Sequence, residues 1–132
     1  MKALQNLGVA DGLSGLLEWS EPVIFDRLRE TYRARVADEA LIWNLARQHC
    51  RVWRALIVGD MGKFEILRRE LVGTLVRRGL NVGWVADADA RTLTELNEIV
   101  GARFQRCARL ARAYRLALIE LAGRLAPAGR AA

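Results

Sequence analysis

Few side chains in this sequence are equipped for chemistry, and they are poorly spaced for it. The chain has a single histidine, His49, and two cysteines, Cys50 and Cys107. Imidazole and thiolate are the usual ligands of a transition metal, but a site needs three or four of them at short spacing, and no CxxC or HxxxH occurs. Ser14 and Ser20 have no histidine that the pattern would place beside them, so a Ser–His nucleophile has no base. The carboxylates Asp87, Asp89, Glu95 and Glu98 lie close in sequence. Asp87 and Asp89 are expected to cap a following helix, near its positive end, rather than to hold a cation. Catalysis is therefore not expected, and neither is a metal centre.

Charge is the stronger signal. The net charge of +6 is confined to the last quarter of the chain. Residues 1–100 balance 14 basic against 14 acidic side chains, whereas residues 101–132 hold seven arginines against Glu120 alone. Arg103, Arg106, Arg109, Arg112 and Arg115 recur every third residue and drift slowly around a helix as one basic face. Such a face suits phosphate or an acidic partner, because clustered arginines release counterions on contact. The aromatics near it, Phe104 and Tyr114, are too few to stack bases, and Tyr114 falls on an apolar seam. A solvated or protein-contact face is the favoured reading, with nucleic acid a lesser alternative.

Those residues must be positioned by helices. At 132 residues, with 52% apolar residues, the chain has the size and composition of one folded domain. Sustained alternation is absent, so no strands are expected. No apolar run approaches the roughly 18 residues of a membrane span, and the N-terminus is too weakly apolar for a secretory signal. The expected location is cytoplasmic, where the two cysteines stay reduced.

Residues 1–14 are expected to be loose or a short helix. A first helix is expected from Ser20, with Pro22 in its first turn and Val23, Phe25, Leu28 and Tyr32 as its apolar stripe. Asp38 is a plausible N-cap for a second helix, on which Leu41, Ile42, Leu45, Val52, Trp53, Leu56 and Ile57 form a broad apolar face. Gly59 closes it. Asp60 opens a third helix in which Phe64, Leu67, Leu71, Leu75 and Val76 share a face, with Arg68, Arg69, Glu70, Arg77 and Arg78 placed elsewhere, and Gly79 ends it.

From Trp84 to about residue 126 no proline intervenes. The segment is one long helix, or two broken at Gly101, ended by Pro127 and Gly129, with 127–132 as a tail. Cys107, Ala111, Tyr114, Leu118, Leu121 and Leu125 are nearly heptad-spaced and form the expected dimer seam. The four tryptophans, Trp19, Trp43, Trp53 and Trp84, are expected to fill a core.

The stretch from Val52 to Ala88 resembles the sensor globins, that is, protoglobins and the haem domains of globin-coupled sensors. Trp53, Leu56, Gly59 and Asp60 are similar to the family's aromatic and Phe/Leu-x-Gly-Asp turn. Phe64 and Arg69 resemble the aromatic and arginine of its middle helix, and Gly79, Leu80 and Trp84 match its end. Arg78 and Val85 depart from the pattern, standing where an isoleucine and a tyrosine would be.

The resemblance implies an all-α, reduced globin-like bundle over residues 1–132. It also implies a pocket-equivalent region of Trp53, Phe64, Leu71, Leu75 and Trp84. Leu75 occupies the position of the family's proximal haem histidine and has no lone pair to give iron. His49 lies on the preceding helix and would approach from another wall. The function implied is a haem-free sensor or regulatory module acting through protein contact and dimerisation, with an output partner the sequence does not identify. The alternatives are a haem-binding oxygen or redox sensor with an unorthodox ligand, and a nucleic-acid adaptor built on the arginine face.

Overall fold

The computed structural model describes the backbone of residues 9–131 and the side chains of residues 21–125. Residues 1–8, the side chains of Ser14, Trp19 and Ser20, and those of the 127–132 tail lie outside the described residues. Among the described residues there are five helices and no strand: α1 Val9–Arg33, α2 Glu39–Val58, α3 Met61–Arg77, α4 Trp84–Arg103 and α5 Ala108–Ala131. The fold is an all-α bundle. α2 and α3 form one hairpin and α4 and α5 another, and α1 packs against α2, α4 and α5.

The helix ends follow from local chemistry. Asp38 accepts the Leu41 N–H at 3.3 Å and Asp60 the Lys63 N–H at 3.0 Å, so α2 and α3 open on aspartate caps. Their C-terminal ends turn on glycines in the left-handed region, Gly59 at φ 83° and Gly79 at φ 68°. In each case the N–H of the next residue reaches back to an orphan carbonyl, Asp60 to Ala55 and Leu80 to Leu75. A side chain at either glycine would strain that turn.

Several sequence expectations need correction. α1 starts by Val9 and carries Pro22 in its interior, not in a first turn. Its buried stripe is Ile24, Leu28, Thr31 and Tyr32, while Val23 is exposed. The last two helices part at residues 104–107, three residues beyond Gly101, where Phe104 leaves the helix and stacks on Tyr114 with ring centroids 4.8 Å apart. α5 continues past Pro127 and Gly129. Val76 is exposed on the outer side of α3. Trp53 is fully buried, but Trp43 is 44% exposed, capped by Phe25 and the Arg29 guanidinium, and Trp84 is half-buried beneath Arg35.

The expected dimer seam is also corrected. Ala111, Leu118, Leu121 and Leu125 are buried within the chain together with Ala117, Leu96 and Val100. Tyr114 is half-buried in its stack with Phe104, and Cys107 half-buried at the turn. The heptad spacing is satisfied by α4 and α1, so these residues are not a surface for a second chain. Leu121→Ala is therefore expected to lower unfolding stability by about 2–5 kcal/mol in urea titration, by an amount independent of protein concentration. A loss that shrinks as concentration rises would return the seam to an intermolecular contact.

Candidate functional site

Buried polar side chains converge at one place in the bundle, and each of α1 to α4 supplies at least one. Tyr32 comes from α1, His49 and Trp53 from α2, Arg68 from α3 and Asp89 from α4. All five are nine-tenths or more buried. The reason lies in register. Each occupies an inward position of its helix: Tyr32 follows Ile24 and Leu28, His49 sits between Leu45 and Val52, Arg68 between Leu67 and Leu71, and Asp89 between Val85 and Leu96.

The carboxylate is the hub. Asp89 Oδ1 accepts from His49 Nε2 at 2.6 Å and from the Trp53 indole N–H at 3.0 Å, and Oδ2 accepts from Arg68 Nη1 at 3.2 Å. The other face of the His49 ring is held by Tyr32, whose hydroxyl lies 2.7 Å from Nδ1. A carboxylate only accepts, so Nε2 carries a hydrogen. In the neutral ring Nδ1 then accepts from the Tyr32 hydroxyl, and in the protonated ring it donates to that oxygen. Both ring nitrogens are engaged in either state. Arg68 Nε has no hydrogen-bond partner, so the guanidinium is held through its charge and one donor.

These contacts set the protonation states. Burial alone would push the Asp89 carboxyl up. The His49 ring, by charge and by hydrogen bond, then Arg68 and the Trp53 donor outweigh burial and hold it below the usual carboxylate range. Burial, followed by the negative charge of Asp89, raises the Tyr32 phenol above its ordinary value and keeps it protonated.

The structure redistributes the residues singled out from sequence. His49 is wholly buried and its nitrogens are occupied, so it offers iron no free lone pair. Asp89 is not a helix cap: α4 opens on Gly83 without a side-chain cap. Asp87 instead pairs with Arg35 at 2.8 Å, tying the turn after α1 to α4, and Glu95 pairs with Arg27 at 2.7 Å, tying α1 itself to α4. Arg68 belongs to the core, not to a solvated face. Leu71 and Leu75 are fully buried, Phe64 nearly so, with Trp53 in the same core cluster.

The basic residues Arg103, Arg106, Arg109, Arg112 and Arg115 are all exposed. They do not lie on one helix, because the turn at 104–107 separates Arg103 and Arg106 from the rest. Cys50 faces a cleft of about 400 Å³ between α1 and α2, beside Glu21, Phe25, Arg47 and Arg54. Burial, with the negative charge of Glu21, pushes its thiol up to about 12, too high for a nucleophile at neutral pH. Among the described residues no group of His, Cys, Asp and Glu is arranged to hold a metal ion.

The Tyr–His–Asp connectivity is that of a proton relay, but its hydroxyl end is sealed in the core. What the arrangement does chemically is store a charge balance. The sequence signal for it was an acid, a base and an imidazole each interrupting an apolar helical stripe. Comparison with family models, curated proteins and solved structures gives no match.

Removing the hub leaves Arg68 and His49 buried without their acceptor, so Asp89→Ala is expected to cost about 3–5 kcal/mol of unfolding stability. The unfolded chain takes up a proton on Asp89 at about pH 4, whereas the folded chain resists it to lower pH. The stabilisation by ionised Asp89 is thus complete above that value and is lost as pH falls through the folded pKa. Urea midpoints measured from neutral pH down to about pH 3 should fall in the wild type, and fall less steeply in Asp89→Asn.

Proposed function

We propose that this chain is a haem-free, globin-like regulatory module that works through protein contact and not through catalysis. The observation that carries this reading is the sealed core at the place where a sensor globin would hold its cofactor. Leu75, at the proximal position of the resemblance, is wholly buried among apolar side chains. The one histidine has both nitrogens committed to Tyr32 and Asp89. Haem ligation through His49 Nδ1, the nitrogen that carries the lone pair of the neutral ring, would require breaking its bond to Tyr32 and opening a wholly buried site in the core.

Regulation by contact then depends on the outside of the bundle. Self-association, where it occurs, must use surfaces other than the Ala111–Leu125 seam, which is spent inside the chain.

A hemin titration of the purified protein tests the reading. The expected spectrum shows no stoichiometric Soret band, and the His49→Ala variant gives the same trace as the wild type. A sharp one-to-one band in the wild type that His49→Ala abolishes would overturn the haem-free reading in favour of a haem sensor.

A further inference from the structure

With its inward seam satisfied, α5 carries a second side-chain pattern on its opposite face. Arg109, Arg112, Leu116 and Ile119 follow one another at spacings of three and four residues, and so share a stripe about three turns long. Leu116 is 50% and Ile119 66% exposed, and the two arginines are exposed beside them. The helix contains one acid, Glu120, half-buried on the flank of this stripe. The face is thus an aliphatic pair bordered by fixed positive charge, without an exposed carboxylate among its described side chains.

We propose that this outer face of α5 is the contact surface of the module, and that its partner is an acidic amphipathic helix of another protein. The proposal rests on the haem-free, protein-contact reading above and adds the partner's chemistry. Charge disfavours the simplest alternative, a second copy of this chain on the same face. A two-fold pairing would gather the exposed arginines of both copies at one interface, where the acid that α5 supplies, Glu120, is half-buried, and like charges across an interface are destabilising.

The aliphatic pair separates a protein partner from a nucleic acid. The remaining exposed surface of Leu116 and Ile119 gains from contact with an apolar surface, and a sugar–phosphate backbone offers them little. Phe104 and Tyr114, the aromatics nearest the arginines, stack on each other and present no free platform for bases. Two aliphatic side chains are also a small apolar area for seating a helix in a bilayer interface. A helix with leucines at i, i+3/i+4 and i+7, flanked by glutamates, satisfies both parts of the face at once.

Fluorescence anisotropy with a labelled, leucine–glutamate amphipathic helical peptide of about five turns tests this. Binding is expected to be saturable, to weaken as salt rises from about 0.1 to about 0.5 M, and to drop at least about tenfold, or 1.4 kcal/mol, in Ile119→Glu and in Arg112→Glu. Both variants replace exposed residues, and unchanged thermal unfolding shows that the fold is intact. No binding by the wild type overturns the proposal. So does equal binding to a glutamate-only peptide, or retention of affinity in Ile119→Glu, either of which reduces the face to simple charge attraction. Tighter binding to a short RNA or DNA duplex, or to phosphatidylserine vesicles, lost in Arg112→Glu but kept in Ile119→Glu, assigns the face to those anions instead. The hemin titration is independent of these outcomes. A failed peptide titration with no haem uptake removes this partner surface and leaves the haem-free module standing.

Discussion

Asp89 is the residue on which the arrangement of helices depends. A carboxylate taken out of water loses hydration worth many kcal/mol, and the loss is tolerable only where cations and donors replace the solvent. Here three donors do so, and they come from α2 and α3 while the acceptor comes from α4. Tyr32 extends the chain of bonds to α1. Most of the helix–helix contact in the bundle lies within two hairpins and along α1, which touches both of them. The buried network crosses that division directly, from the α2–α3 hairpin to α4.

Apolar packing by itself tolerates a slip of one helical turn, because one leucine can replace another. The network does not. Moving α4 along its axis by a turn would carry Asp89 about 5.4 Å from Arg68 and His49, leaving two buried groups without their acceptor. Alternative packings are therefore penalised by far more than the native pair gains over an apolar equivalent. The surface pairs Arg27–Glu95, from α1, and Arg35–Asp87, from the turn after it, also fix α4, at the modest strength expected of solvent-screened ions.

How much of this was legible before the structure varied with the kind of signal. The α2–α3 hairpin was readable almost residue by residue, because Asp38, Gly59, Asp60 and Gly79 act through local backbone chemistry that sequence carries directly. The all-α class followed from periodicity. Helix ends without such markers are not readable: the break after Arg103 coincides with a Phe104–Tyr114 stack, a contact between residues ten apart. The core network was visible only as an anomaly. Asp89 reads as a cap because acids near a helix start usually are, and Arg68 reads as lying off the apolar face because arginine usually does. Only tertiary placement shows that Asp89 and Arg68, unfavourable alone in an apolar stripe, offset one another.

The heptad-like run of α5 shows why an apolar period does not identify its own partner. Leucines at three and four residues apart state that a helix is buried along one side, and say nothing about which chain covers it. In this bundle α4 and α1 do so, which removes Leu118, Leu121 and Leu125 from any external surface. What remains outside is a different pattern, aliphatic at Leu116 and Ile119 and cationic around them. The two faces answer to different physics. The inner one is optimised against water and is indifferent to charge, while the outer one must remain soluble alone and still gain from contact. Fixed arginines around a small apolar centre meet both demands, since the charges keep the face solvated when it stands alone and favour a surface of opposite sign.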